Sequence, residues 1–356
     1  MNARSDEALM DAVVLKEFGP PESLCLSRVP VPAIRASEVL IRVTAVSLNR
    51  TLDLELRAGK PPFGNIVSPP HVLGADHTGR VIEVGSEVTR VKIGDRVAIF
   101  PVLTCGVCDS CTNGRSEICQ QMELIGVHRP GANAELVAVP ESSAYPIPEA
   151  VEDRDACALV LVGSLAHRQL SVAELESGNW IFVPGAAGAL GANIIALALH
   201  RGIRVVAGIR NSRHGARLRQ LGAELVVDPL EPNFKDQIRE LTAGAGIQAV
   251  IDNLGDAVVW RRGIEVLSNG GTVVCSGALG GAEPTLDLRQ MYLRNHHYLG
   301  VRTARPEDVV AILRELDAGF RGVIDDRERF SIAKASAAHR YLERGGQFGR
   351  VVLDVI

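Results

Sequence analysis

The chain has 356 residues, of which 46% are hydrophobic and 22% are charged, and its formal net charge is -4. This length exceeds what one hydrophobic core usually supports, so two domains are expected. The charge argues against a nucleic-acid or membrane partner recruited by bulk electrostatics, and no apolar run approaches the roughly 18 residues of a membrane span.

The opening residues and the cysteines indicate the compartment. The stretch MNARSDEALMDAV has acids where a secretion signal or transit peptide has apolar or basic residues. Four of the seven cysteines are clustered, which is typical of a metal site in a reducing compartment rather than of disulfides. We therefore expect a cytoplasmic protein.

The first part of the chain, from Asp11 to about Tyr145, has the pattern of strands and turns. VLIRVTAVSL alternates between apolar and polar residues, and GRVIEVG, GDRVAIF and AELVAVP follow it, with glycine and proline between them. This pattern predicts an irregular, mostly-β domain.

After Glu149 the pattern changes to short, nearly continuous apolar runs. WIFVPG, IRVVAGI, AELVVD, QAVIDN and GTVVCSG have the character of buried parallel strands, and the segments between them have helical length. This alternation predicts a doubly wound α/β domain.

From about Tyr298 the chain has another strand pattern, YLGVR, followed by helical segments and a terminal RVVLDVI strand. This return of β character predicts that the chain re-enters the first domain. We therefore predict a mostly-β domain formed by residues 1–150 and 299–356, with a cysteine lobe at 105–119, and an α/β domain formed by residues 151–298.

A glycine-rich turn lies between a predicted strand and a predicted helix in WIFVPGAAGALGANIIALALH. This is the placement that a dinucleotide-binding fingerprint requires. Glycines let the backbone approach a pyrophosphate, and the helix amino end offers unpaired N–H groups. The alternative is that the glycines serve only close packing of strand and helix. The predicted cofactor contacts in this turn are Gly185, Ala187, Gly188, Ala189 and Leu190.

The next strand indicates which dinucleotide is used. An NAD site places an acid about 20 residues beyond the glycines, but here no acid occurs between Gly185 and Glu224. The expected strand end reads AGIRNSRHGAR, in which Gly208 is a predicted cofactor contact. Arg210 and Arg213 lie in the loop where a 2′-phosphate would bind, and their guanidinium groups suit it. NADPH is therefore favoured over NADH, with ordinary solvated charges as the alternative reading of the arginines.

Four cysteines, Cys105, Cys108, Cys111 and Cys119, have the spacing C-x2-C-x2-C-x7-C. Four thiolates close a tetrahedral shell around zinc and leave no position for water or substrate. The spacing predicts one structural zinc per chain, with disulfides or accidental clustering as the alternative.

The cysteine spacing, followed by the glycine turn, resembles the zinc-containing alcohol dehydrogenases of the medium-chain dehydrogenase/reductase superfamily. The stretches HVLGADHTGRVIEVG, GDRV and FGRVVL extend the resemblance over essentially the whole chain. It implies an α/β protein with a GroES-like, mostly-β catalytic domain and an inserted, doubly wound Rossmann domain. Members commonly dimerise through the edge of the Rossmann sheet, here around GGTVVCSG, so the resemblance implies a homodimer or tetramer.

Members of this family that oxidise alcohols hold a second zinc with a Cys, a His beside an acid, and a third Cys or acid. The matching positions here are Asn49, Ala75 with Asp76 as the adjacent acid, and Leu161. Because thiolate and imidazole are both missing, a tight catalytic zinc is not expected. His77 is the alternative ligand, although a shift of one residue reverses side-chain direction in a strand.

Hydride delivery to a carbonyl builds negative charge on oxygen, and this charge must be stabilised. A conjugated alkene spreads the charge over an enolate, so hydrogen-bond donors can suffice. The zinc-free quinone and enoyl reductases of the superfamily use this chemistry, and SLNRTLDLELRAG resembles their segment. The chain also resembles the subgroup that keeps the four-cysteine lobe without the catalytic ligands, including acryloyl-CoA reductase-like proteins.

The resemblance implies roles for individual residues. Asn49 matches an asparagine of the zinc-free reductases, Thr51 matches a proton-relaying hydroxyl, and Arg50 matches a contact to cofactor phosphate. A threonine at this position is also an ordinary helix cap. His128 is the third catalytic candidate, with a structural role as its alternative. The proton donor itself is not identified.

Further cofactor contacts are predicted at the carboxyl ends of two parallel strands, where ligands bind in such sheets. Asn253 ends VIDN, and Gly277 and Ala278 follow VVCS. We expect them near the nicotinamide, with loop packing as the alternative.

Three functions remain open from the sequence. The first is an NADPH-dependent reductase of activated C=C bonds or quinones, acting on an enone, enal or enoyl thioester without a catalytic metal. The second is an alcohol or aldehyde dehydrogenase of the same superfamily, and the third is a non-catalytic NADPH-binding protein. All three have a small-molecule ligand, and none needs a nucleic acid or a membrane.

Overall fold

The structure is a computed structural model that describes residues 8–60, 66–281 and 283–355. The chain forms two compact units. The first unit contains the chain up to Leu161, together with Val309–Gly319 and the segment from Ile324 onward. The second unit contains Val162–Asp308 and Phe320–Val323.

The elements are numbered in chain order. The strands are β1 (Leu9–Leu15), β2 (Leu24–Pro30), β3 (Glu38–Leu48), β4 (His71–Val72), β5 (Asp76–Val84), β6 (Arg96–Ile99), β7 (Val102–Leu103), β8 (Glu123–Leu124), β9 (Leu136–Pro140), β10 (Ala144–Pro146), β11 (Trp180–Pro184), β12 (Arg204–Gly208), β13 (Leu225–Val227), β14 (Ile247–Asp252), β15 (Leu267–Cys275), β16 (His297–Gly300), β17 (Phe330–Ser331) and β18 (Val351–Asp354). The helices are α1 (Arg50–Arg57), α2 (Asp109–Thr112), α3 (Asp153–Leu159), α4 (Val162–Val172), α5 (Ala189–His200), α6 (Gly215–Leu221), α7 (Phe234–Leu241), α8 (Ala257–Val266), α9 (Leu288–Arg294), α10 (Pro306–Asp317) and α11 (Ala335–Arg344).

The first unit is built around a seven-stranded sheet in the order β10-β6-β5-β3-β18-β17, with β9 also paired to β3. A separate three-stranded sheet has the order β2-β1-β4. The alternating VLIRVTAVSL segment forms most of β3, where Ile41 and Val43 are buried and Arg42 between them is exposed. β18, from the end of the chain, pairs antiparallel with β3, so both chain ends build this mostly-β unit.

The second unit contains a six-stranded sheet in the order β13-β12-β11-β14-β15-β16. All of its strand pairs are parallel. Chain order along the sheet is therefore 3-2-1-4-5-6, with the switch point between β11 and β14, which is the Rossmann order. The predicted α/β class, with a mostly-β domain and a doubly wound Rossmann domain, is confirmed.

The strand predicted at YLGVR lies in the six-stranded parallel sheet of the second unit, not in the mostly-β unit. YLGVR does not begin the return to the mostly-β unit, because β16 pairs in parallel with β15, Tyr298 lying opposite Val273. The strand that does return is β17, which pairs with β18. An apolar strand pattern reports burial but not the identity of the pairing partner, which is why the sequence misplaced this element.

Among the described residues, no helix combines the length and the apolar character that crossing a membrane requires.

Candidate active site and zinc lobe

The cysteine lobe extends from a short two-stranded ladder, β7 with β8, in which Val102 lies opposite Leu124. The four thiol sulfurs lie within 4.8 Å of one another. Individual Sγ–Sγ distances are 3.9 Å for Cys105 to Cys111, 3.5 Å for Cys108 to Cys111, 4.0 Å for Cys108 to Cys119 and 3.6 Å for Cys119 to Cys105. A tetrahedral zinc with Zn–S bonds of about 2.3 Å requires sulfurs about 3.8 Å apart. The predicted ligands therefore fit a closed zinc shell.

Backbone groups of the lobe support thiolate ligands. The N–H of Cys108 donates to Cys105 Sγ at 3.4 Å, and the N–H of Cys105 donates to Cys119 Sγ at 3.5 Å. Backbone hydrogen bonds from Val107 and Cys108 lower the pKa of Cys105 to about 6, whereas burial raises the pKa of Cys111 to about 12. A divalent ion is the partner that would hold all four sulfurs deprotonated.

The glycine turn connects β11 to α5 in the second unit. Gly185 has φ +68°, and a Cβ at Gly191 would lie 2.5 Å from the Gly185 carbonyl oxygen, so this turn requires glycines. Gly188 is the exposed N-cap of α5 and supplies no side-chain cap, which leaves the first N–H groups of the helix available to a ligand. Ala187, Ala189 and Leu190 flank it and are partly exposed.

The arginines predicted to bind a 2′-phosphate follow Gly208, the last residue of β12. Arg210 and Arg213 are both exposed, and the structure records no ion pair for either among the described residues. Asn211 Oδ1 accepts the N–H of Arg213 at 2.9 Å and shapes the turn that carries both arginines. Glu224, the first acid after the glycines, is paired instead with Arg204 at 2.5 Å.

The remaining predicted cofactor residues follow β14 and β15. Four neighbouring parallel strands, β12, β11, β14 and β15, thus carry predicted cofactor residues at or just after their carboxyl ends. These residues are Gly208, the glycine turn, Asn253 and Gly277. Ala278 is exposed beside Gly277. The structure brings these residues of the second unit together.

The side chain of Asn253 has an internal role that the sequence did not indicate. Its Oδ1 accepts from Gln169 Nε2 at 2.9 Å and from the N–H of Ser276 at 3.1 Å. Gln169 lies on α4 and is fully buried. Asn253 therefore fixes the ends of β14 and β15 relative to each other.

In the first unit, Asn49 directly follows β3 and is the N-cap of α1. Its Oδ1 accepts the N–H groups of Thr51 at 3.2 Å and Leu52 at 3.3 Å. Because the helix N–H groups hold Oδ1, the cap fixes the orientation of the Asn49 amide. Among the described residues, the structure records no hydrogen-bond partner for Nδ2. Thr51 is half-buried in the first turn, and the Arg50 guanidinium donates to the Leu342 carbonyl oxygen.

Asp76, the acid beside the position that matches the histidine ligand of a catalytic zinc, forms a buried ion pair instead. The Arg350 guanidinium donates to the Asp76 carboxylate and to Ser47 Oγ, and both charged side chains are buried. Burial raises the pKa of Asp76, and the Arg350 guanidinium opposes that rise. Ala75 beside this pair offers no ligand atom.

His77 is directed into the protein interior. Its Nδ1 lies 2.8 Å from the Ala75 carbonyl oxygen, and burial lowers its pKa to about 4. Within the part of the chain that the structure describes, the four cysteines are the only group of three or more His, Cys, Asp or Glu side chains placed to hold a metal ion. The donor set around Asp76 and His77 therefore does not fit a catalytic zinc.

His128 has a local structural contact. Its Nδ1 accepts the N–H of Leu124 at 3.0 Å and closes the turn after β8, and its ring is exposed. Among the described residues, no hydrogen bond joins it to Asn49 or Thr51.

Sequence reasoning also missed two residues next to Asn49 and Asp76. Asp53 accepts the N–H of Asn49, and Arg350 pairs with Asp76 from 274 positions away. For Asp53 the local signal is weak, since a capping box has its acid three residues after the cap and Asp53 lies four residues after Asn49. For Arg350 no local signal exists.

Two family models match the chain. Residues 35–149 match the alcohol dehydrogenase GroES-like domain, and residues 189–318 match the zinc-binding dehydrogenase model. An L-threonine 3-dehydrogenase of Chelativorans sp. (strain BNC1) is 31% identical over 343 residues, which cover 94% of this chain and 96% of that protein.

Solved structures agree with these matches. A structure described as an NAD-dependent alcohol dehydrogenase is 33% identical, with a TM-score of 0.88, over 98% of this chain and 100% of that one. A crotonyl-CoA carboxylase/reductase is 22% identical, with a TM-score of 0.89, over 98% of this chain and 88% of that one, a likeness that shows the fold alone. The chain belongs to the medium-chain dehydrogenase/reductase superfamily and is an oxidoreductase of its zinc-containing alcohol dehydrogenase-like branch.

Proposed function

We propose that this protein is an NADPH-dependent reductase of activated carbon–carbon double bonds or quinones, with an enone, enal or enoyl thioester as the substrate class. One observation carries the proposal. Where relatives that oxidise alcohols hold a catalytic zinc, this chain has the amide of Asn49, the methyl group of Ala75 and an Asp76 carboxylate paired with Arg350. These groups do not form a Lewis-acid site.

The residues at the start of α1 suit the reduction of a conjugated carbonyl. NADPH, when bound, supplies the hydride. As the β-carbon gains hydride, the alkene electron pair moves toward the carbonyl oxygen, and Asn49 Nδ2–H donates a hydrogen bond to that oxygen. Thr51 Oγ1 passes a proton from solvent to the α-carbon, which completes the addition of two hydrogens.

The second unit holds the cofactor in this proposal. The N–H groups at the start of α5 bind the pyrophosphate, and Gly185 lets the backbone approach it. Arg210 and Arg213 bind the 2′-phosphate as bidentate donors. Gly277 and Ala278 contact the nicotinamide, while Asn253 holds their loop through Ser276.

Arg50 and His128 complete the predicted set in the first unit. Arg50 is exposed, and its guanidinium has further N–H donors for a cofactor phosphate besides the one that donates to the Leu342 carbonyl oxygen. The Nδ1 of His128 accepts a backbone N–H, so the neutral ring carries its proton on Nε2, where it can donate to substrate. One structural zinc per chain, held by the four cysteines, stabilises the lobe and takes no part in hydride transfer.

A dehydrogenase is the second candidate, because the relatives and one solved structure are named threonine or alcohol dehydrogenases. In that reaction Thr51 would accept the proton of the alcohol hydroxyl, while the carbon that bears this hydroxyl would give its hydride to the oxidised cofactor. A non-catalytic NADPH-binding protein is the third candidate, since among the described residues the structure records no hydrogen bond between Thr51 and an acidic side chain.

NADPH oxidation across a panel of enals, enones, quinones, enoyl-CoA esters and aldehydes tests the proposal. We expect turnover with at least one enone, enal, quinone or enoyl thioester, and a higher kcat/KM with NADPH than with NADH. Asn49→Asp keeps the helix cap but removes the amide donor, so it should lower kcat by about 10²-fold. NADPH binding without turnover of any panel member would favour the non-catalytic candidate.

We also propose a homodimer formed through the edge of the Rossmann sheet. GGTVVCSG is not that edge, because β15 is paired on both sides, and the edge strand on this side of the sheet is β16. The helix α9, which precedes β16 in the chain, presents exposed apolar side chains, with Tyr292 67% and Leu293 68% exposed. Leu293→Asp should yield monomers in light scattering, while Leu230→Asp, at another exposed leucine, should leave the dimer intact.

A further inference from the structure

Asp53 forms a reciprocal cap with Asn49. Asp53 Oδ2 accepts the N–H of Asn49 at 2.6 Å, and the N–H of Asp53 donates to the Asn49 carbonyl oxygen at 2.8 Å. Asn49 Oδ1 in turn accepts from Thr51 and Leu52. All three polar groups of Asn49 other than Nδ2 are therefore held within this turn.

The burial of Asp53 is more than a helix cap needs. The residue is 1% exposed, whereas acids that cap helices are ordinarily solvated. Asn49 already satisfies two N–H groups at the start of α1, so the helix does not require a second buried acceptor. The recorded polar partner of the Asp53 side chain is Asn49, which indicates that the buried carboxyl serves that residue.

Burial shifts the Asp53 carboxyl toward its neutral form. Burial raises its pKa to about 7. The hydrogen bond from the Asn49 N–H opposes this rise, the negative charge of Asp76 adds to it, and Arg350 opposes it. A protonated carboxyl keeps a carbonyl oxygen that accepts the Asn49 N–H. The hydrogen bond thus depends on an oxygen at this position and not on a negative charge.

We propose that Asp53 is a positioning residue that fixes the backbone of Asn49 and thereby directs the Asn49 amide Nδ2–H toward the substrate oxygen. This inference rests on the reductase function proposed above. A fixed donor stabilises charge in the transition state at no cost of reorientation during the reaction. A displacement of the donor of about 1 Å can cost as much as 10²-fold in rate.

Steady-state kinetics of Asp53→Leu and Asp53→Asn test the assignment on the full-length enzyme. We expect Asp53→Leu to lower kcat at least about tenfold, with KM and the NADPH dissociation constant changed less than about twofold. Asp53→Asn, whose amide oxygen accepts the same N–H, should retain most of kcat. Glu55→Leu removes a carboxylate from the same helix and is the matched control, with kcat expected to remain at the wild-type value.

A double variant tests whether Asp53 acts through Asn49. Once Asn49→Asp has removed the amide donor, adding Asp53→Leu should lower kcat no further. Should Asp53→Leu fail to fold, Asp53→Ser, whose hydroxyl is too short to reach the N–H, takes its place in the cycle. An unchanged kcat in the single variant, or a full additional loss in the double variant, overturns the positioning role.

Hydrogen exchange separates this inference from the proposed function. Asp53→Leu should speed amide exchange in the peptide that contains Asn49, Thr51 and Leu52, and Glu55→Leu should not. If the wild-type enzyme reduces no member of the substrate panel, the proposed function fails, and exchange still decides whether Asp53 fixes Asn49. Unchanged exchange in Asp53→Leu contradicts the positioning role whatever the substrate.

Discussion

Arg350 and Asp76 form an ion pair in the interior of the first unit, and their exposed side-chain fractions are 2% and 0%. Strand pairing explains how residues 274 positions apart meet. Asp76 begins β5 opposite Ser47 of β3, and Arg350 directly precedes β18, which pairs with the same end of β3. The last strand of the chain thus brings a fixed cation to the acid that the family places beside a zinc ligand.

Removing the guanidinium should be strongly destabilising. Arg350→Met leaves the Asp76 carboxylate buried without its partner, so we expect the free energy of unfolding to fall by about 3–5 kcal/mol in urea denaturation. Arg42→Met, at an exposed position of β3, should change it by less than about 1 kcal/mol. Adding Asp76→Leu to Arg350→Met should recover much of the lost stability. If Arg350→Met alone lost no more stability than Arg42→Met, the account would be contradicted.

The zinc lobe should contribute to stability and not to hydride transfer. Cys108→Ser removes one of four ligands, so zinc content should fall from one per chain to near zero and the melting temperature should decrease. At temperatures where the variant remains folded, its kcat should stay close to the wild-type value. Cys25→Ser, which alters a cysteine outside the cluster, is the control, and a folded Cys108→Ser without turnover would show that the lobe takes part in the reaction.

The choice of cofactor should depend on the two exposed arginines. Arg210→Ala combined with Arg213→Ala removes two donors to the 2′-phosphate, so KM for NADPH should rise at least about tenfold while KM for NADH stays nearly constant. Arg239→Ala, at an exposed arginine of α7, controls for the loss of surface charge. Equal increases in KM for NADPH and NADH would contradict the assignment of these arginines to the 2′-phosphate.

Buried histidines should make stability depend on pH. Burial lowers the pKa of His339 to about 3, and the positive charge of Arg57 adds to the effect, whereas a histidine in the unfolded chain has a pKa of about 6.5. The unfolded state therefore binds a proton that the folded state excludes, and stability falls as pH drops below about 6.5. The contribution is about 1.4 kcal/mol per pH unit between the two values.

His339→Leu isolates this contribution. The raised pKa of Asp53 acts in the opposite direction, because the folded state binds a proton that the unfolded state has lost, so stability falls as pH rises toward 7. The lowered pKa of His77 makes stability depend on pH in the same direction as that of His339. The difference between wild-type and His339→Leu unfolding curves from pH 4 to 7 removes both effects. A difference that does not vary with pH, or a similar slope change in the exposed variant His297→Gln, would contradict the assignment.

The features that sequence patterns predicted are those with a local chemical requirement. Four thiolates around one ion demand the close spacing of Cys105 to Cys119, and a strand–turn–helix that approaches a phosphate demands Gly185. These signals sit within short segments, so they can be recognised without knowing the fold. The order of domains followed from the change in apolar pattern after Glu149.

The features that escaped prediction depend on long-range pairing. Nothing in the local sequence around Arg350 indicates that it reaches Asp76, because that contact requires β18 to lie beside β3. The placement of β16 in the parallel sheet has the same origin. Gln169 and Asn253 likewise meet across 84 positions through the packing of α4 against the sheet.

Turnover and metal content measured on the same preparation test the central claim most directly. Our account predicts NADPH oxidation with an enone, enal, quinone or enoyl thioester by protein that contains one zinc per chain, held by the four cysteines. Protein that contains two metal ions per chain, and that oxidises alcohols only while the second ion is bound, would contradict it.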